Sequence, residues 1–287
     1  MPTIGRPRQL AACLESIAAG DRLPAEVVVV DQSGGGEVAA VVARFAQAGV
    51  RVVPSSERGV ARARNLGLRE AVHDTVLMTD DDCTVDPAWT TTAAQLMEPG
   101  AKLMLSGRVL SPGDRRNVPA IRDDPAPRDY TGTLSYSALY TNNAVMSRSE
   151  VLDFGGFDED FETAEDNDLC YRWLKAGRRL RYEPRLTVWH HDWRTPEQMM
   201  GLYAAYGRGA GRLYAKHLRH GDVRMLRFLA RDVFGHLRAL APRGGRNARA
   251  EADAREARGV LRGLPAGLAA GLAPRGRRPP PRGEQAG

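Results

Sequence analysis

Residues Thr75 to Asp86 read TVLMTDDDCTVD. Four β-prone or apolar residues, Val76 to Thr79, run straight into three consecutive aspartates, Asp80, Asp81 and Asp82. A short apolar run bounded by polar residues reads as a buried strand, and open α/β sheets bind ligands beyond the carboxyl ends of their strands. Adjacent carboxylates repel one another. A hard divalent cation held through one or two of them, bridging to substrate phosphates, relieves that repulsion. A solvated acidic turn is the plain alternative, and the commoner one for a triplet standing alone.

Working outward, strand and helix patterns alternate on both sides. Upstream, Glu26 to Asp31 (EVVVVD) is a continuous β-branched run, the mark of a strand buried on both faces. Before it, Leu10, Cys13, Leu14 and Ile17 fall at helical spacing; after it come a second amphipathic helix, Val38 to Ala48, and a short strand, Val50 to Pro54. Gly59 to Val72 (GVARARNLGLREAV) forms a third helix, with Arg62, Arg64 and Asn65 near its start.

Downstream, Asp86 and Pro87 read as the N-cap and first position of a helix, and Lys102 to Leu110 as a strand. Ser111 to Tyr140 carries four prolines and no clean periodicity, which marks a long functional loop. Thr141 to Met146 resumes as a strand, Ser147 to Phe154 as a short helix, and Glu165 to Ala176 as a helix closed by Gly177. Arg179 to Val188 reads as an edge strand leading to Trp189, His190 and His191. From Thr195 and Pro196 the pattern is helical to about Leu240, with one more helix over 248–264. Strands alternating with helices imply an α/β fold with a mostly parallel central sheet. Residues 1–195 form that domain, 196–264 a helical extension, and 265–287 a disordered basic tail rich in Pro, Gly and Arg.

The 287-residue chain is 43% hydrophobic, enough for a substantial core, and its net charge of +6 hides an asymmetry. From Gly201 onward 18 Lys and Arg face six acidic residues, a net of +12, whereas the first 200 residues hold 23 basic and 29 acidic, a net of −6. An acidic body with a basic tail suggests a metal or catalytic region followed by a segment that meets something anionic. Cys13, Cys83 and Cys170 are far apart and form no CxxC pair, which favours a reducing cytoplasm over a disulfide framework. No signal peptide is visible, and no apolar run reaches the roughly 18 residues of a membrane span.

Four charged clusters sit where elements end. Asp31 closes EVVVVD, either as a turn former or as a hydrogen-bond partner for a nucleobase or ribose. Arg64 and Asn65 follow Gly59 near a helix N-terminus, where an arginine and free backbone N–H groups suit a phosphate or base, although most helix arginines are merely solvated. Glu165, Asp166 and Asp168 open a helix, where the dipole favours carboxylates in any case and keeps Asp166 ionised, ready as a general base. His190 and His191 follow a strand, and one of them could complete a metal site begun by the aspartates.

The order of these pieces (PT–R, VVVVD, GVARARN, TDDD, GGFDEDF, EDNDLCYR, VWHH) resembles the family 2 glycosyltransferases, of the nucleotide-sugar-binding GT-A fold, over roughly residues 2 to 195. The resemblance implies a nucleoside-diphosphate sugar donor, a divalent ion (Mn2+ or Mg2+) and inversion at the anomeric carbon. It places Thr3, Arg6 and Asp31 in the nucleotide site with Arg64 and Asn65. Asp80 and Asp81 fall on the ribose side of the DXD motif, and Asp82 and His190 on the metal. Asp166, with Glu165, matches the pair that supplies the catalytic base; Asn143 and Gly156 match acceptor-side positions. The family carries an apolar strand before the Pro-Thr, where this chain has only Met1; the expectation is a native start about six to ten residues upstream.

The implied acceptor is a saccharide or a lipid-linked hydroxyl. The arginine-rich polar faces of the later helices either pack on the domain or lie against anionic lipid, so the expected location is cytoplasmic, with peripheral contact at the inner face of the membrane. Two rival readings are a sugar-phosphate nucleotidyltransferase, which would carry a glycine-rich phosphate loop near its start, and a basic nucleic-acid-binding protein. Against the second, the positive charge sits in the tail and the 6% of aromatic residues show no stacking stripe; no nucleic-acid partner is expected.

Overall fold

The computed structural model describes residues 1–98, 100–113, 118–239 and 248–269. Two sheets stand at its centre. In the first, β1 (Pro2–Thr3), β2 (Val27–Asp31) and β3 (Val50–Pro54) run parallel in that order. The second contains β4 (Thr75–Thr79), β5 (Cys83–Val85), β6 (Leu103–Leu110), β7 (Arg128–Asp129), β8 (Asn143–Ser147) and β9 (Arg179–His190). Its order is β4-β8-β6-β9-β5, with β7 on β9. Here only β6 and β9 are parallel; β8 runs antiparallel to β4 and β6, and β5 and β7 run antiparallel to β9. The parallel α/β core expected from the sequence is the first sheet, and the second is mixed.

The strand ending in the aspartates and the β-branched run of β2 form as their patterns dictate. β9 departs from expectation: it is interior, with β6 on one side and β5 and β7 on the other. Glu183 pairs in register with Gly107 of β6, and its carboxylate accepts from Arg181 and Arg185. β1 is two residues long and pairs only with β2. A cavity of about 390 Å³ lies between the sheets, lined by Val27, Val28, Leu68 and Thr75 to Thr79.

The helices are α1 (Pro7–Ala18), α2 (Glu37–Ala43), α3 (Val60–Glu70), α4 (Trp89–Leu96), α5 (Arg148–Asp153), α6 (Glu165–Lys175), α7 (Pro196–Arg219), α8 (Met225–Ala239) and α9 (Ala248–Ala269). α1 buries Leu10, Cys13, Leu14 and Ile17, the face read from the sequence. α4 starts later than its Asp-Pro signal implied. Asp86 Oδ1 instead accepts from Ala88 N at 2.9 Å, an Asx-type turn that delays the helix to Trp89. α7 opens with a capping box between Thr195 and Gln198 behind Pro196 and runs to Arg219, where the expected long helix breaks before α8. Within the proposed tail, residues 270–287 lie outside the described residues.

One side chain splints the second sheet. The β6–β9 register shifts between Gly107 and Arg108, and the gap is filled by Asn143. Its Nδ2 donates to Arg108 O at 2.8 Å and Leu186 O at 2.9 Å, and its Oδ1 accepts from Trp89 Nε1 at 2.9 Å. A Cβ at Gly107 would stand 2.1 Å from that amide nitrogen, so glycine is required there by space.

Candidate active site

The first sheet, β4 and α6 converge on a cleft of about 630 Å³. Asp80 and Asp82 line it from the end of β4, and Glu165 and Asp166 from the first turn of α6. Arg64, on α3, ties the two together. Its Nη2 donates to Asp80 Oδ1 at 2.9 Å, and its Nη1 pairs with Glu165 Oε1. The guanidinium is 6% exposed. Burial works against its charge, but Asp80, Glu165 and Asp166 outweigh that and push its pKa above the usual arginine range. Burial raises both Glu165 and Asp166, against the pull of Arg64, so the helix dipole does not by itself keep Asp166 ionised.

The triplet splits by strand-like alternation. Asp80 and Asp82 face the cleft, whereas Asp81 is fully buried away from it, accepting from Thr3 Oγ1 at 2.6 Å and Arg6 Nε at 3.0 Å. Burial pushes the Asp81 carboxyl up to about 7, against Arg6. Asp81 therefore braces Thr3 and Arg6 and, unlike the position expected from the sequence, does not line the cleft. Thr3 and Arg6 do line the cleft, although the Thr3 hydroxyl is committed to Asp81.

Asp82 is the most heavily engaged carboxylate lining the cleft. Its Oδ2 accepts from Trp193 Nε1 at 2.8 Å, Arg6 Nη1 at 3.1 Å and Arg194 Nη2 at 3.3 Å. Its Oδ1 lies 3.3 Å from His190 Nε2. Burial opposes ionisation here, but the neighbouring His190, the charge of Arg6 and the Trp193 N–H hold the pKa well below the carboxylate range. The neighbouring His191 turns the other way, its Nε2 2.8 Å from Thr84 Oγ1, so the structure brings His190 to Asp82.

A divalent cation suits this place. Asp82, Cys83 and His190 offer oxygen, sulfur and nitrogen atoms within 4.8 Å of one another, and His190 Nε2 is buried without a hydrogen-bond partner among the described residues. Burial pushes the Cys83 thiol up, leaving a carboxylate and an imidazole as the donor pair, a set that accommodates Mn2+.

Four sequence candidates are held within the scaffold and do not line the cleft. Asn143 is fully buried in the sheet splint described above, not on an acceptor face. Asn65 holds the GGF turn: its Nδ2 donates to Phe157 O and to Glu159 Oε1, each at 2.8 Å, and its Oδ1 accepts from Phe157 N at 2.9 Å. Gly156 takes φ +64° against that amide, where a Cβ would sit 2.6 Å from Asn65 Oδ1; it serves the turn and does not line the cleft. Asp31 Oδ1 accepts from Ser33 N at 2.8 Å and from its hydroxyl, the turn-former role, and Gln32 is the residue beside it that lines the cleft. Conversely, Trp193, Arg194, Asn142, Tyr140 and Tyr206 reach the site unannounced. The alternation that turns Asn143 into the sheet is the signal that turns Asn142 to the cleft, where it is nonetheless buried. Nothing in the pattern singled out Trp193 or Arg194.

Comparison with known proteins fits this geometry. Residues 1–150 match the family model described as glycosyl transferase family 2. The chain is 33% identical over 172 residues to the pre-mycofactocin glycosyltransferase of Mycobacterium tuberculosis (strain ATCC 25618 / H37Rv), covering 56% of this chain and 36% of that protein. It is 30% identical over 112 residues to the succinoglycan biosynthesis protein ExoA of Rhizobium meliloti (strain 1021), covering 38% and 34%. The chain thus spans about a third of the length of these curated relatives. Among solved structures, mannosyltransferase PcManGT from Pyrobaculum calidifontis, in complex with GDP-Man and Mn2+, superposes with a TM-score of 0.59 at 20% identity, over 94% of this chain and 73% of that one. S. aureus TarS 1–349 in complex with UDP-GlcNAc gives 0.57 at 19% identity, over 71% and 64%. At such identity the likeness speaks to the fold.

Proposed function

The chain belongs to glycosyl transferase family 2, and from that premise we propose that it moves a sugar from a nucleoside-diphosphate sugar to an acceptor hydroxyl, with inversion and with a divalent cation. One observation carries the reading: Asp80, Asp82, His190 and Asp166, drawn from β4, β9 and α6, open on a single cleft. Asp82 and His190 would hold Mn2+ or Mg2+, which when bound supplies Lewis-acid neutralisation of the diphosphate leaving group.

The remaining work falls to side chains. Asp166 receives the proton of the acceptor hydroxyl as that oxygen attacks the anomeric carbon from the face opposite the leaving group. A single direct displacement inverts configuration, by the stereochemical argument that applies to inverting hydrolases. Arg64 fixes Asp80 against Glu165 and so holds the donor side and the base side in one register. Thr3 and Gln32 line the end of the cleft nearest the first sheet and frame the nucleoside there. The acceptor approaches along the wall formed by Tyr140 and Tyr206.

No helix among the described residues is long and apolar enough to cross a membrane. Exposed Leu226, Phe234 and Leu261 on the arginine-bearing α8 and α9 support peripheral contact with an anionic bilayer, where a lipid-linked acceptor would be met. Copelleting with anionic and neutral vesicles checks that contact.

A thermal-shift screen of UDP-, GDP- and dTDP-sugars with Mn2+ or Mg2+ tests the donor reading, because a ligand that binds only the folded state raises its melting temperature. A metal-dependent rise with at least one donor is expected. The absence of any shift, together with no detectable donor binding by equilibrium dialysis, would falsify it.

A further inference from the structure

Arg194 stands out once the site's positive charges are sorted by what already holds them. Arg64 is shared between Asp80 and Glu165, and Arg6 between Asp81 and Asp82. Among the described residues Arg194 has a single ionic partner, Asp82, reached at 3.3 Å through one nitrogen, while its Nη1 is buried with no hydrogen-bond partner. It is the least committed cation lining the cleft.

Its partner is over-subscribed. Asp82 Oδ2 accepts from Trp193, Arg6 and Arg194 together, so a cation is left only Oδ1, beside His190, and must share the carboxylate's charge with two guanidinium groups. The three donors form one stack, with Arg6 5.0 Å and Arg194 4.3 Å from the centre of the Trp193 ring. The stack belongs to a short connector anchored at both ends. Upstream, His191 N donates to Asp82 O at 3.0 Å; downstream, Thr195 starts the capping box of α7. Asp192 to Arg194 lie between these anchors outside any helix or strand.

We infer that Arg194 is a ligand of the donor's diphosphate, and that the Trp193–Arg194 connector yields Asp82 to the cation as Arg194 passes to the phosphates. This rests on the donor reading above. The exchange conserves charge pairing: Asp82 trades a guanidinium for a divalent ion, and the guanidinium gains phosphate oxygens, which it binds bidentately and more strongly than a crowded carboxylate edge. Trp193 loses its indole hydrogen bond in the process and reports the change.

The inference predicts effects of opposite sign from one substitution. In Arg194→Gln, Mn2+ alone, followed by equilibrium dialysis, binds several-fold more tightly, because a competing cation has left Asp82. UDP, GDP and dTDP at saturating Mn2+ bind about ten-fold more weakly, the loss of a charge-assisted contact. Arg194→Lys, which keeps the charge without the fork, falls between the two in both assays. In the wild type, adding nucleotide to the Mn2+-saturated protein shifts a tryptophan emission component that Trp193→Phe lacks.

A role in folding alone would weaken both ligands together, and that result overturns the inference, as does unchanged Mn2+ affinity. A wild type that binds none of the three nucleotides sinks the donor reading on which it rests. A wild type that binds them no better than Arg194→Gln sinks the inference alone.

Discussion

Arg64 and Glu165, 101 residues apart in sequence, form an ion pair in which neither side chain is more than 7% exposed. Through it the helix that carries Asp166 is registered to the strand that carries Asp80. A buried pair of this kind is a weak source of net stability, since desolvation offsets most of the attraction. Its service is positional, and removing one partner exposes the cost.

Arg64→Gln leaves Glu165 buried without its counter-ion. The expected loss is about 3–5 kcal/mol at neutral pH, read from denaturant midpoints. Glu165, already raised by burial, can escape the penalty by taking up a proton. The difference between variant and wild type should therefore shrink toward pH 5. A penalty that stayed flat with pH would argue against an unpaired carboxylate as its source.

Asp166→Asn should lower transfer by about 10²- to 10⁴-fold, the range for a lost general base, with donor affinity unchanged. Because burial raises the Asp166 carboxyl, the ionised base becomes more abundant as pH climbs, so the wild-type rate rises along an acid limb and then levels. If the variant instead lost donor binding, Asp166 would belong to the nucleotide site.

The positions of the acids were legible because several charged clusters followed one another at element ends, whereas an acidic triplet standing alone reads as a solvated turn. Which acid faces the cleft was less so. Side-chain direction alternates along extended backbone, and a motif read as a block treats Asp80, Asp81 and Asp82 alike, or Asn142 and Asn143. Asn65 and Gly156 misled for another reason: each is needed by the other, and a tight structural pair leaves the same trace in sequence as a ligand contact. Trp193 and Arg194 sit in an aperiodic connector, where pattern carries no information and only the fold brings them over Asp82.

Asn143→Ala separates scaffold from acceptor contact. It strands Arg108 O, Leu186 O and the Trp89 indole N–H in the interior, and should cost about 2–4 kcal/mol. Per folded molecule, the KM for acceptor should not move. A raised acceptor KM with normal stability would return Asn143 to the site.

Asp74 gives a stability signature in acid. It accepts from Ser147 Oγ at 2.8 Å, Ser149 N at 2.8 Å and Gly100 N at 2.9 Å. Despite an opposing burial contribution, these bonds bring its carboxyl from 3.8 to about 2. A depressed carboxyl stabilises the fold above its unfolded value and loses that contribution as pH falls through the folded one. After solvent screening the contribution is roughly 1–2 kcal/mol. Asp74→Asn should show that deficit at pH 6 and approach parity with wild type near pH 2, by urea titration.

The same substitution at two glycines of α7 should act with opposite sign. A Cβ at Gly207 would lie 2.0 Å from Glu256 O and 2.9 Å from Gly259 Cα, the backbone of α9. Backbone cannot swing aside as a side chain can, so Gly207→Ala must part the two helices, at about 1–3 kcal/mol. At Gly201, one turn into the same helix and exposed, a Cβ meets nothing within 4 Å. There alanine only removes conformational freedom from the unfolded chain, and Gly201→Ala should stabilise by about 0.5–1 kcal/mol. Trypsin offers a second readout, since α9 carries Arg255, Arg258 and Arg262: parting the helices should speed cleavage there in Gly207→Ala and leave Gly201→Ala as resistant as wild type. If both alanines stabilised, the close α7–α9 contact would not exist in solution.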